Sequence, residues 1–161
     1  MLDEALRRLI IRELEEVDAL LAKSSPLLET PINTEPSFER IAALSAVLNS
    51  FYTGLERIFE RIAKEIDTKQ SKGERWHIEL LNQVARQTEI RPAVISEDSR
   101  QRLRDYLAFR HRSRHAYAHY LVWDSMAQLV AGTSQTWNIV HSEILQFVRQ
   151  QSSSAPNNKE K

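Results

Sequence analysis

The chain has no cysteine and only three glycines and five prolines among its 161 residues; its 22 Lys and Arg are balanced by 22 Asp and Glu. Each shortage excludes something. Without cysteine there is no disulfide, no thiol nucleophile and no cysteine-ligated zinc. Without net charge, no global field draws the chain to nucleic acid, and any such attraction must be local. No apolar run approaches the ~20 residues needed to cross a bilayer as a helix. Met1-Leu2-Asp3-Glu4 also lacks the basic and apolar regions of a signal peptide. The expectation is a cytoplasmic protein with no membrane association. Few strand-favouring runs point away from a β-rich fold, and the length suits a single hydrophobic core.

What the sequence does have is helical periodicity. Leu2, Leu6, Leu9, Ile10, Leu14, Val17 and Leu21 repeat at helical spacing over residues 2–23, with charges interleaved. Ser24-Ser25-Pro26 ends that segment, and prolines at 26, 31 and 36 make the following connection extended. Thr34-Glu35-Pro36 predicts the start of a second helix, with Thr or Glu as cap and proline in the first turn. Ile41, Leu44, Leu48, Leu55, Ile58, Ile62 and Ile66 carry it to about Asp67. Lys72-Gly73 breaks the chain before a third helix over 74–87, and Arg91-Pro92 marks a short connection. Ser96-Glu97-Asp98-Ser99 starts the fourth helix, and a fifth runs from about Ser125, with a bend possible at Gly132-Thr133. The residues after Arg149 are polar. The expected fold is all-α, an antiparallel four-helix bundle with an additional short helix. It forms one domain over 1–150, followed by a disordered tail over 151–161.

Charge is concentrated where the total hides it. Arg100, Arg102, Arg104, Arg110, Arg112 and Arg114 fall within fifteen residues. The first three fit a solvated helix face equally well. Arg110 does not. At about 100° per residue, a helix continued through this segment puts Leu103, Leu107, Arg110, Arg114, Tyr117 and Leu121 on one stripe, and the leucines mark that stripe as apolar. An unpaired charge buried there costs several kcal/mol or more, so the arginines need a partner, an interface or a phosphate.

Histidines flank that stripe. Arg110 and His115 stand in an Arg-x4-His arrangement with Tyr117 two residues on. Arg114 to His119 repeats the spacing, but Leu121 then occupies the place of the tyrosine. A guanidinium suits phosphate, and an imidazole exchanges protons near neutral pH; together they suffice for cleavage of RNA without metal. His111 reads either as an orienting or phosphate-contacting group or as plain surface. His111, His115 and His119 at i, i+4 and i+8 also allow metal sites with two ligands, although Asp105 is the one nearby carboxylate. His77, beside Trp76, reads as a packing or capping residue, and His141 as a structural one with no charged companion.

Phe109-Arg110-His111 and Arg114-His115-Ala116-Tyr117 resemble the motif of HepT-like ribonuclease toxins of the HEPN superfamily. Phe51-Tyr52-Thr53-Gly54-Leu55-Glu56-Arg57-Ile58-Phe59, then Trp76-His77 with Leu80-Leu81, then Arg91-Pro92-Ala93-Val94-Ile95, also resemble this family in the expected order. The resemblance covers roughly residues 1–150.

The resemblance implies a homodimer that brings two motifs to one cleft, and a metal-independent endoribonuclease with no cofactor, acting on tRNA or mRNA. His115 would exchange the proton, Arg110 would hold the scissile phosphate, and His111 and Arg114 would support it. It further implies that Tyr117 receives AMP from a cognate MNT-type nucleotidyltransferase antitoxin. The competing class is a non-catalytic helical dimerisation module that binds nucleic acid or a partner.

Overall fold

The structure, a computed structural model, describes residues 2–153. Four long helices make the bundle: α1 (Glu4–Lys23), α3 (Phe38–Glu65), α5 (Glu97–Ser113) and α6 (Ala127–Ser153). Two shorter helices lie between them, α2 (Ser25–Leu28) and α4 (Trp76–Val84), and two 3-10 turns, Ala118–Tyr120 and Trp123–Ser125, join α5 to α6. The fold is therefore the all-α bundle that the periodicity predicts. The single turn of α2 and the two 3-10 turns were not visible in it. Among the described residues no helix is long and apolar enough to cross a membrane.

Local chemistry sets the helix starts. The Asp3 carboxylate accepts from the Leu6 amide at 2.7 Å to open α1, and Ser96 accepts from Ser99 at 3.2 Å to open α5. α3 begins later than Thr34-Glu35-Pro36 suggests, because Ser37 is the cap that accepts from the Arg40 amide. At the far end α6 runs on through Gln150 to Ser153, with Gln151 buried, so the bundle extends slightly past the expected boundary. The rest of the expected tail, residues 154–161, lies outside the described residues.

α3 is the axis of the molecule, packing on α1, α4, α5 and α6. Its Phe51, Tyr52, Leu55, Ile58, Phe59 and Ile62 are all buried. Phe51 meets Tyr106 of α5 and Trp137 of α6 edge-on, with ring centroids 5.3 and 6.1 Å away. Trp137 in turn donates to Asp18 of α1 at 2.7 Å, which ties the last long helix to the first. At Gly54 the backbones of α1 and α3 come close: a Cβ there would lie 2.5 Å from Val17 Cγ2. The connection from α4 to α5 is pinned by Arg91, whose guanidinium pairs with Asp67 at 2.6 and 2.8 Å and also donates to the carbonyls of Gln83, Arg86 and Pro92.

The largest departure from the sequence reading is at the end of α5. Periodicity carries the helix through Tyr117 to Leu121; the structure stops it at Ser113, with Arg114 as C-cap. No glycine or proline marks the stop, since none occurs between Pro92 and Gly132. Two physical terms favour it. His115, Tyr117, His119, Tyr120, Val122 and Trp123 are all mediocre helix formers. Burial of Trp123 and Met126, with the indole N–H of Trp123 donating to the Ile32 carbonyl at 3.2 Å, also requires the chain to turn before α6.

Candidate functional site

Arg110 is buried, as its place among leucines implies, and its partner is internal. Nη1 donates to Glu56 Oε1 at 2.7 Å, and the guanidinium carbon lies 5.7 Å from the centroid of the Tyr52 ring. The other oxygen of Glu56 is 2.6 Å from His77 Nδ1. One carboxylate on α3 therefore bridges α5 and α4. With Arg110 on it, Glu56 acts as acceptor, so Nδ1 of His77 is the donor. The His77 ring also lies against Trp76, with centroids 3.6 Å apart.

Burial and this charge cluster act on their neighbours. Burial raises the Tyr52 phenol well above its ordinary pKa; Glu56 adds to the rise and Arg110 opposes it. Tyr52 is thus a neutral wall under the guanidinium. Glu60, one turn beyond Glu56, is also held above the usual carboxylate range, first by burial and then by Glu56.

Arg110 is held without being saturated. The one hydrogen bond its guanidinium makes among the described residues is to Glu56, and its side chain keeps 10% exposure. A guanidinium has five N–H donors, so several remain for an anion that reaches it. Nearby, Ser113 and Asn49 are hydrogen-bonded at 3.1 Å and fix the last turn of α5 to α3.

A cleft of about 770 Å³ opens beside this network. Glu74, Arg75, His77 and Ile78 line it from the α4 side; Arg104, His111 and Arg112 line it from α5, over Leu107 and Ala108. His111 and His77 thus share one cavity, which the sequence did not suggest.

The remaining expected site residues sit elsewhere. Arg114 through Tyr120 are all exposed. His115 lies just past the end of α5, and Tyr117 is 74% exposed at the entrance of the first 3-10 turn. The single stripe from Leu103 to Leu121 therefore ends at Arg114, the C-cap, whose amide still donates to the Arg110 carbonyl at 3.0 Å: Tyr117 and Leu121 lie beyond the helix, and Tyr117 does not stack over Arg110. The helical spacing of His111, His115 and His119 is likewise lost, because only His111 is within α5.

Sequence reasoning missed Glu56, and with it the role of His77. The signal was available. Tyr52, Leu55, Glu56 and Phe59 fall on one helical face, so a carboxylate stands in an apolar stripe of α3 just as Arg110 does in α5. Two opposite charges in two apolar stripes are candidates for each other. His141, which the sequence shows without charged companions, has Asp18 at 3.5 Å and meets Trp137 edge-on, which is a packing role.

The all-helical bundle is consistent with the class of HEPN-like domains. A family model described as HepT-like protein matches residues 43–151, more than half of the chain and all of α4, α5 and the joining turns. The chain belongs to the HepT-like family. Comparison with curated proteins finds no match, and neither does comparison with solved structures.

Proposed function

We propose that this protein is a metal-independent endoribonuclease, the toxin of a toxin–antitoxin pair, acting on tRNA or mRNA. The observation that carries the reading is Arg110: a guanidinium fixed by Glu56 and Tyr52, with donors to spare, five positions before the exposed His115. Glu56 orients the cation in advance, so little reorganisation is needed when charge develops on the phosphate. His115, solvent-exposed, takes the proton of a ribose 2′-hydroxyl or returns one to the leaving 5′-oxygen. One imidazole cannot perform both transfers in one step, so a second copy of the chain supplies the other. The homodimer brings two such helix ends to a shared cleft and covers them from water. His111 and Arg114 add positive charge on either side.

Tyr117 is the proposed site of control. Its exposure leaves the hydroxyl open to a partner enzyme, which supports transfer of AMP to it by a cognate MNT-type nucleotidyltransferase antitoxin. The physical reason for inhibition is proximity along the turn: Tyr117 is two residues from His115, and an added anionic nucleotide repels and obstructs an RNA phosphate there.

The test is cleavage of RNA by purified protein in EDTA. Wild type should cut, and His115→Ala should lose cutting while its helical circular dichroism is kept. Cleavage that vanishes in EDTA and returns with added metal would overturn the acid–base scheme. RNA that is shifted and never cut would favour a binding module in its place.

A further inference from the structure

The turn after α5 carries a feature that the chemistry above leaves unused. Tyr117 and His119 are stacked, with centroids 5.6 Å apart and planes 17° from parallel; His119 and Tyr120 follow at 4.3 Å, tilted by 38°. All three rings belong to exposed residues, with Tyr120 at 67% exposure. None of them makes a side-chain hydrogen bond among the described residues. Soluble chains seldom leave a row of rings in water without a use. These rings are held in place: the Tyr120 amide donates to the Tyr117 carbonyl at 2.9 Å, and the Leu121 amide to Ala118 at 3.1 Å. The row is preorganised, so a ligand that stacks on it need not order it first.

The surroundings select the ligand. From Tyr106 to Trp123 there is no carboxylate, while Arg110, Arg112 and Arg114 and three histidines fall in that span. Arg112 and Arg114 are exposed and have no carboxylate partner among the described residues, whereas Arg100 and Arg102 earlier on α5 are paired with Glu97 and Asp98. Rings flanked by uncommitted cations match alternating bases and phosphates. Bases inside a duplex are stacked on each other and offer no face; unpaired bases do.

We infer that Tyr117, His119 and Tyr120 form a stacking platform for unpaired bases of RNA, with Arg112 and Arg114 on the adjoining phosphates, so that the protein selects single-stranded segments. The inference rests on the reading of the chain as one that acts on RNA, and it names the part of the RNA that the turn engages. Tyr120 is the ring that isolates the effect, since it takes no part in the proposed cleavage or modification.

The test is binding, kept apart from cleavage by the probe. A fluorescently labelled 2′-O-methyl oligoribonucleotide has no 2′-hydroxyl to attack, and it is titrated alone and as a duplex with its complement. Wild type should bind the single strand more tightly than the duplex. Tyr120→Ala should weaken single-strand binding roughly tenfold and leave duplex binding unchanged, and Tyr120→Phe should behave as wild type. Arg112→Ala and Arg114→Ala should weaken both forms and each reduce the salt slope by roughly 0.7–0.9. Equal affinity for the two forms overturns the platform, and so does single-strand binding that survives Tyr120→Ala. A Tyr120→Ala protein that changes sedimentation from dimer to monomer with unchanged oligonucleotide affinity assigns the rings to self-association instead. Because the probe cannot be cut, failure of the platform is read separately from failure of cleavage in the EDTA assay.

Discussion

Two buried arginines, Arg91 and Arg110, are handled in opposite ways. Arg91 has no exposed side-chain surface and spends all its nitrogens on Asp67 and three carbonyls. Arg110 makes one hydrogen bond, rests over an aromatic ring and still reaches the surface. Both satisfy the rule that a buried charge must be paired. The difference lies in what is left over. A saturated guanidinium is a staple, here between the end of α3 and the approach to α5. An unsaturated one, oriented by a carboxylate and still partly exposed, keeps donors for an anion, as the proposed function requires. Burial alone does not separate these cases; the count of unused donors does.

The largest expected effect breaks the staple. Arg91→Ala leaves Asp67 buried at 7% side-chain exposure without its cation, and should lower unfolding stability by about 3–5 kcal/mol, measured by urea denaturation. A loss below about 1 kcal/mol would mean that the pair is not the anchor that its geometry implies. Gly54→Ala comes next. Its methyl would meet Val17 Cγ2, so Val17 must change rotamer or α1 must move from α3, with an expected loss of about 1–3 kcal/mol in the same assay. An alanine variant as stable as wild type would show that the close approach is not needed.

The smallest effect concerns the charge around Glu56. The folded-state pKa of Glu60 is raised, so the native protein binds that proton more tightly than the unfolded chain does. Stability from this group is therefore present at acid pH and is lost as pH rises through the raised pKa. Glu60→Gln should flatten that fall, giving a modest gain near neutrality and none below the carboxylate range. Melting curves at several pH values check the sign; a Gln variant less stable at neutral pH would contradict it.

Much of this is legible in the amino-acid sequence. The apolar repeats of α1, α3 and α6 fix long amphipathic helices, and Ser96 with Glu97 and Asp98 announces the start of α5. Arg110 was legible as a charge that needs a partner, since Leu103 and Leu107 define its face. Its partner was not named, because Glu56 is fifty-four residues away and pairing between helices depends on packing that one sequence does not display. The end of α5 was illegible for a different reason. Periodicity continues to Leu121 with neither glycine nor proline to interrupt it, and the stop is imposed by burial of Trp123 and Met126 further along. That is why the periodicity puts Tyr117 on the face of Arg110, whereas it stands in an exposed turn.

The measurement that bears most directly on the contrast between the two arginines is the rate of RNA cleavage in EDTA by Arg110→Gln, taken together with its thermal melt. If Arg110 is an oriented cation with donors reserved for phosphate, cleavage should fall by about 10²-fold or more. Glu56 keeps its bond to His77, so the helical bundle should survive with a smaller stability loss than Arg91→Ala shows. A variant that cuts RNA at the wild-type rate, or one that unfolds as Arg91→Ala does, would make Arg110 a second staple and contradict the account.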